Sequence, residues 1–255
     1  MTSGRAHRRG GARAFRNGDP TTYALGEWAA LEALRHRPGA VEGLVLDPAL
    51  SGPRRERLCA AAASAGVPVR DDPATLRALR HRSDALALAL LRVEADALQS
   101  GTPHLALVGT RNAGNLGAAL RSALGFDVRD VALIASPLDP WSPHVLRASL
   151  GARFALRVAA FPDWSAYRER FAAQRPVLFA APQPGRAGTA LPAWHGGAAS
   201  TLVFGPEWGA PDGVTASQLP LELPLVYIPQ HGDLESHNLA VAVGIALYAL
   251  RHGAC

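Results

Sequence analysis

The sequence predicts an α/β protein in two parts, a small α/β unit and a larger one built on a mostly parallel sheet. Three observations carry this expectation. Short apolar runs of strand character alternate with segments of helical period. Breaks rich in Gly and Pro separate them, such as Pro38-Gly39 and Ser100-Gly101-Thr102-Pro103. The length of 255 residues suits one or two domains, and 48% hydrophobic with 18% charged residues is globular composition.

Taken in order, residues 1–20 read as a basic flexible tail, because residues 1–18 hold Arg5, Arg8, Arg9, Arg13 and Arg16 and no acid. The chain has 26 basic and 21 acidic residues, so without these five arginines its body is formally neutral. Such a tail suits phosphate contact. The competing reading is a disordered start with a general preference for arginine, since the chain contains no lysine. A mitochondrial presequence, which is also Arg-rich and acid-poor, ranks below the plain tail. Residues 24–36 then set Leu25, Trp28, Leu31 and Leu34 at helical spacing, and Pro38-Gly39 ends that helix. Val41–Leu46 reads as a strand, and helical patterns near 53–65 and 73–81 flank an extended piece at Val67–Arg70. Residues 21–83 thus form the small unit, with 84–103 as its connection to the rest.

The larger unit, 104–255, opens with a buried-strand run, His104–Gly109, a loop and a helix at Asn115–Gly125. Strands follow at Val131–Ala135, Phe154–Ala159, Val177–Ala181, Thr201–Phe204 and Leu223–Ile228, with helical patterns at 142–150, 163–174 and 237–251. The last helix is apolar nearly all round. It must be covered on most sides, and a partner subunit is a natural cover.

Several function classes find no support. The longest apolar run, Ala85–Leu91, falls far below the ~20 residues of a membrane span. No N-terminal stretch joins a basic start to an apolar core, so secretion is not indicated. Two cysteines, Cys59 and Cys255, exclude a disulfide scaffold and suit a reducing cytoplasm. His231 and His237 are neighbours, but no Cys or second carboxylate stands at ligand spacing, so no metal is expected.

Three segments carry candidate chemistry. The first, TRNAGNLGAALRSALGF at 110–126, is a strand, a glycine-bearing loop and a helix. That order builds a ligand loop at the carboxyl end of a parallel strand. Gly114 and Gly117 permit close backbone approach, Asn115 reads as the N-cap, and Arg121 follows within the helix. The loop lacks both the dinucleotide pattern and the Gly-Lys-Ser/Thr of a P-loop, which counts against a nucleotide-dependent oxidoreductase. The second, LVFGPEWGAP at 202–211, sets Glu207 and Trp208 in a turn that no periodicity explains. The third, YIPQHGDLESHNLAVAVGIAL at 227–247, runs from a strand end through a polar loop to Ser236 and Asn238, which also read as helix caps.

Together the three segments resemble the three motifs of the SpoU-type 2′-O-ribose RNA methyltransferases of the SPOUT class. The order and spacing match over roughly residues 104–250: N-x-G-N-x-G-x-x-x-R, a G-x-E-x-G turn, and I-P-x-x-G-x-x-x-S-x-N-x-A-V before the last helix. The stretch DPWSPHVLRASLGA at 139–152 adds to the likeness. The resemblance implies a C-terminal α/β trefoil-knot domain, S-adenosyl-L-methionine as cofactor, and a homodimer whose sites use both subunits. The first unit would be an RNA-binding module, with ribosomal RNA preferred over tRNA as substrate. Arg121, Asn115, Glu207, Ser236 and Asn238 would then be the catalytic set. Ala180, Phe204, Gly205, Gly209, Ile228, Gln230, His237 and Leu239 would hold the cofactor. The chain departs from the pattern at His237, where leucine is usual, at Gln230-His231, where a hydrophobic residue is common, and at Ala113, often proline. None of these removes a polar motif residue. A catalytically silent RNA-binding protein of the same fold is the remaining alternative.

Overall fold

The computed structural model describes residues 14–79, 84–182, 185–206, 221–232 and 234–253. The first part contains β1 (Thr21–Leu25), α1 (Glu27–His36), β2 (Val41–Leu46), α2 (Gly52–Ser64), β3 (Val69–Asp71), α3 (Pro73–Leu79) and β4 (Ala87–Arg92). Its sheet has the order β1-β4-β2-β3, antiparallel except for the β2–β3 pair.

Three expectations change here. The helix begun at residue 24 starts instead at Glu27, because Leu25 ends a strand and Gly26, at φ 102°, turns the chain. Trp28 keeps the helical spacing but is exposed. The stretch 84–103 is not all connection: Ala87–Arg92 is the central strand that closes the first sheet against β1 and β2. Its Ala-Leu alternation lacks the β-branched residues that mark strands, and its burial on both faces hides any period of two. The tail also ends earlier than residue 20. Asn17 Nδ2 donates to Pro137 O at 3.2 Å, and Gly18 N to Asp139 Oδ2 at 3.1 Å. Arg5, Arg8, Arg9 and Arg13 lie outside the described residues.

The second part runs β5 (His104–Val108), α4 (Ala113–Gly125), β6 (Asp130–Ile134), α5 (Pro143–Ala148), β7 (Arg157–Phe161), α6 (Trp164–Arg170), β8 (Arg175–Phe179), β9 (Gly188–Ala190), β10 (Ser200–Phe204), β11 (Leu225–Tyr227) and α7 (Leu239–His252). The sheet order is β7-β6-β5-β10-β8-β11-β9, and every pairing is parallel. The predicted strand at Phe154–Ala159 begins later, since a 3-10 turn occupies Ala152–Ala155. β9 was not foreseen.

Every residue of β5, β6 and β10 is buried, as expected of strands covered on both faces. Alternate side chains sort to two cores. Leu105, Leu107, Val131, Leu133 and Leu202 meet α4 and α7 on one face. Ala106, Val108, Ala132, Ile134 and Val203 meet Tyr167 and Phe171 on the other. Polar groups buried there are chained together. His104 Nε2 donates to Gln99 O at 2.7 Å, which leaves Nδ1 to accept from Tyr167 Oη at 2.9 Å; Tyr167 in turn lies 2.8 Å from Thr201 Oγ1.

Candidate functional site

The strand order reverses direction between β5 and β10: β6 and β7 continue to one side of β5, β8 and β11 to the other side of β10. Ligands in open α/β sheets bind at the carboxyl edge beside such a reversal. The loops leaving β5, β8, β10 and β11 all emerge there. A pocket of about 420 Å³ opens among the last three.

Seven of the expected cofactor residues line it: Ala180 after β8, Phe204 and Gly205 at the end of β10, Ile228 and Gln230 after β11, and His237 and Leu239 at the start of α7. Ser236 and Asn238 line it as well. Leu178, Phe179 and Val226 supply apolar wall, and Phe179 stacks on Phe204 at 5.0 Å between ring centroids. Sequence reasoning missed Leu221 and Ala242, which also line the pocket. Ala242 sits one helical turn beyond Asn238, a position that the period of α7 makes available. Glu207 and Gly209, with Trp208, lie outside the described residues. Gln230 faces the pocket but spends its amide elsewhere: Nε2 donates to Leu234 O at 2.6 Å and to Glu235 O at 3.2 Å, closing the loop on itself.

The first motif enters from α4. Asn112, not Asn115, is the N-cap; its Oδ1 accepts from Gly114 N at 2.8 Å and Asn115 N at 3.1 Å. The turn after β5 leaves Asn112 extended, the backbone an N-cap needs, and it comes three residues before the expected cap. Asn115 is thereby free to bond elsewhere. Its Oδ1 accepts from Asn238 Nδ2 at 3.1 Å, joining motifs 123 positions apart. Asn238 itself caps α7, accepting from Ala240 N at 2.9 Å. Ser236 caps nothing among the described residues.

Gly117 was expected to let backbone approach a ligand. It approaches α5 instead: an added Cβ would stand 2.4 Å from Ala148 Cβ and 2.5 Å from Ala148 C. Arg121, one turn on from Gly117, is exposed and is not part of the pocket wall. The structure therefore gathers Asn115, Ser236, Asn238 and the seven described residues of the cofactor set, and leaves Arg121 on another face of α4. Among the described residues, no group of three His, Cys, Asp or Glu side chains gathers as a metal site, and no helix is long and apolar enough to cross a membrane.

Comparison with known proteins agrees with this geometry. The SpoU rRNA Methylase family matches residues 102–248, more than half of the chain. An uncharacterized tRNA/rRNA methyltransferase of Synechocystis is 35% identical over 158 residues, which cover 60% of this chain and 56% of that protein. The human mitochondrial rRNA methyltransferase 3 is 40% identical over 68 residues, 26% of this chain and 16% of its own length. This chain thus spans about half, or much less, of the curated relatives it matches. The crystal structure of an rRNA methyltransferase from Sinorhizobium meliloti, also determined with AdoMet bound, superposes with a TM-score of 0.69 at 23% identity. It covers 90% of this chain and 86% of its own. A putative RNA methyltransferase of the TrmH family from Porphyromonas gingivalis gives 0.71 at 22%, covering 91% and 90%. With its matching stretch spanning all four site loops, the chain belongs to the SpoU rRNA Methylase family.

Proposed function

We propose that the protein is a 2′-O-ribose methyltransferase that uses S-adenosyl-L-methionine and acts on structured RNA, with ribosomal RNA as the preferred class. One observation carries this reading: the second and third motifs line one pocket at the carboxyl edge of the sheet, and the Asn115–Asn238 bond ties the distant first motif to them. The pocket fits the cofactor. Its apolar walls suit an adenine ring, while Ser236, His237 and Asn238 offer polar groups along one side. The AdoMet-bound Sinorhizobium structure supports the same assignment.

When bound, the cofactor supplies a methyl group on a sulfonium. The ribose 2′-oxygen would bond to that methyl as the carbon–sulfur bond breaks, and the neutral thioether would leave with the sulfur electron pair. The hydroxyl proton would pass to solvent water. Attack neutralises the sulfonium charge, so a dry site that positions both partners suffices and no metal is needed. Arg121 is a poor base, because a guanidinium stays protonated at neutral pH. It acts by holding the adjacent phosphate in a bidentate grip and stabilising the developing alkoxide. Asn115, held by Asn238, orients the ribose, and Ser236 and Glu207 position the motif loops. Gly209 completes the cofactor set.

The other expectations belong to this proposal. The first unit binds RNA, now reaching to Arg92. The site is shared by a homodimer in the cytoplasm. The trefoil knot is supported by the insertion of β10 between β5 and β8, both made earlier in the chain. A tRNA substrate is the second reading, favoured by the naming of the Synechocystis relative for both RNAs. The test is twofold. Isothermal titration should show S-adenosyl-L-methionine binding without divalent metal, and labelled methyl should pass to ribosomal RNA. Binding of NAD in its place would refute the reading, binding without transfer would favour the silent protein, and transfer to tRNA alone would change the substrate.

A further inference from the structure

The segment joining the two sheets, Val93–Pro103, is clasped and not loose. Asp96 stands at its middle with its side chain almost fully buried, 4% exposed. Its Oδ1 accepts from Arg37 Nη2 at 2.8 Å, and its Oδ2 accepts from Val158 N at 3.0 Å. Arg153 Nη2 lies 2.7 Å from the same Oδ2, an ion pair off the line of a good hydrogen bond, and Arg153 Nε has no partner among the described residues. Arg153 is fully buried beneath Trp141, its guanidinium carbon 4.1 Å from the ring centroid. Burial pulls it down to about 10, against the pull of Asp96, so it stays charged at neutral pH.

Arg37 carries the clasp across. It is the C-cap of α1 in the first part, yet it donates to Phe154 O at 2.9 Å and to Leu156 O at 3.0 Å in the second. Trp141 adds two bonds, its Nε1 donating to Glu94 O at 3.0 Å and its carbonyl accepting from Thr22 Oγ1 at 2.7 Å. Gly151 lies so close to α1 that an added Cβ would stand 2.6 Å from Glu32 Cβ. The turn that bears Arg153 and Phe154 packs directly on α4, the helix of Arg121. Packed elements therefore lead from α1 through this turn to α4, the helix that carries Arg121. A buried carboxylate between two arginines adds little net stability, but it admits few alternative arrangements.

Resting on the methyltransferase reading, we infer that this clasp fixes the distance between RNA held on the first unit and Arg121, and so selects which ribose is methylated. Arg37 and Asp96 are positioning residues that touch neither cofactor nor the reacting atoms. Nucleotide choice is then set by a rigid gauge and not by a tethered module that searches.

The test uses the full chain with Cys59 and Cys255 changed to Ser and nitroxide labels at the exposed Arg57→Cys and Glu169→Cys, diluted with unlabelled protein. Pulsed EPR should give one narrow distance in this background and a broad one in Arg37→Ala. Arg37 is partly exposed, so this variant spares the buried Arg153–Asp96 pair; Asp96→Asn, which keeps the shape, is the second variant. Mapping of methylated riboses should show the ratio of target to flanking positions falling at least tenfold in both variants. The KM for RNA should rise with cofactor affinity nearly unchanged, while Tm falls, most in Asp96→Asn, which leaves the buried charge of Arg153 without its carboxylate. A broad distance in the unmutated clasp overturns the inference, and so does unchanged selectivity in a variant whose distance has broadened. If the unmutated clasp gives a narrow distance but no RNA is methylated, the methyltransferase reading fails, and the selectivity claim falls with it while the rigid junction stands.

Discussion

Asn115 and Arg121 stand six residues apart on one helix, about a third of a turn from sharing a face. That offset explains why Asn115 meets Asn238 at the pocket while Arg121 is exposed on another face of α4. On the proposed reading, Arg121→Ala should lower the single-turnover methyl-transfer rate about a hundredfold or more, the scale of losing one donor to a developing oxyanion. Cofactor affinity by titration should barely move. Arg121→Lys should restore little, since an ammonium lacks the planar fork. A mutant that turns over normally would take Arg121 off the catalytic set, and one that loses only cofactor binding would invert the site. His104 gives a second residue-level expectation. Burial first, then Arg157, hold it below its ordinary value of 6.5 against the opposing pull of Gln99 O and Asp130, so the folded protein keeps it neutral. The unfolded chain takes up its proton near pH 6.5, hence this contribution to stability is complete above that pH and is lost as pH falls below it. Urea midpoints should drop between pH 7.5 and 5.5 in the wild type and drop less in His104→Gln. Equal drops would clear His104 of any part in the acid response.

The elements depend on a few close approaches. Gly117 makes the tightest approach to backbone among the described glycines, with α5 where a side chain would go. Gly117→Ala trades the better helix propensity of alanine against overpacking of a buried helix pair, typically 1–3 kcal/mol. The second effect wins because Ala148 C is backbone and cannot swing aside, so the denaturation midpoint should fall; a rise would mean that α5 shifts freely. Such details mark the limit of what the sequence discloses. Strands such as Val41–Leu46 and His104–Val108 were legible because β-branched and leucine-rich runs between turn residues have few other uses. β1 escaped notice since its leucine also fits the period of the helix that follows, and β4 because Ala-Leu alternation suits helix and strand alike. The pocket was legible for a different reason. Its lining comes from short loops at fixed places after strands, whose Gly, Pro, Ser and Asn residues stand out from the apolar runs. Leu221 and Ala242 were hidden because an apolar residue on a wall looks like any core residue. The exchange of Asn115 for Asn112 as cap turned on a loop conformation that composition does not encode.

At the scale of the whole molecule, α7 was expected to be wrapped on most sides. It is covered on one: Leu239, Val243, Ala246 and Leu247 face the core, while Val241 and Tyr248 are 51% and 57% exposed. This half-covered apolar helix supports the proposed homodimer, in which a second copy would bring its own Arg121 toward the shared site. Sedimentation should report twice the 26.8 kDa of one chain. The informative probes are Val241→Asp and Tyr248→Glu, which should yield folded monomer of low activity. Charges at Val243 or Leu247 would enter the chain's own core and unfold it. A wild-type monomer with full activity would refute the shared site.

The strand order also has a consequence for how the protein is made. β10 is the centre of the large sheet, yet its neighbour β5 lies roughly a hundred residues earlier in the chain. While synthesis proceeds, β5, β6 and β7 can pair with one another, but β5 keeps a bare apolar edge until Ser200–Phe204 has emerged. Loop closure over that span is slow, and half-built sheets with open edges are prone to associate. The nascent protein is therefore most vulnerable to aggregation late, after most of its secondary structure exists, and the carboxyl edge that forms the pocket is among the last parts to take shape.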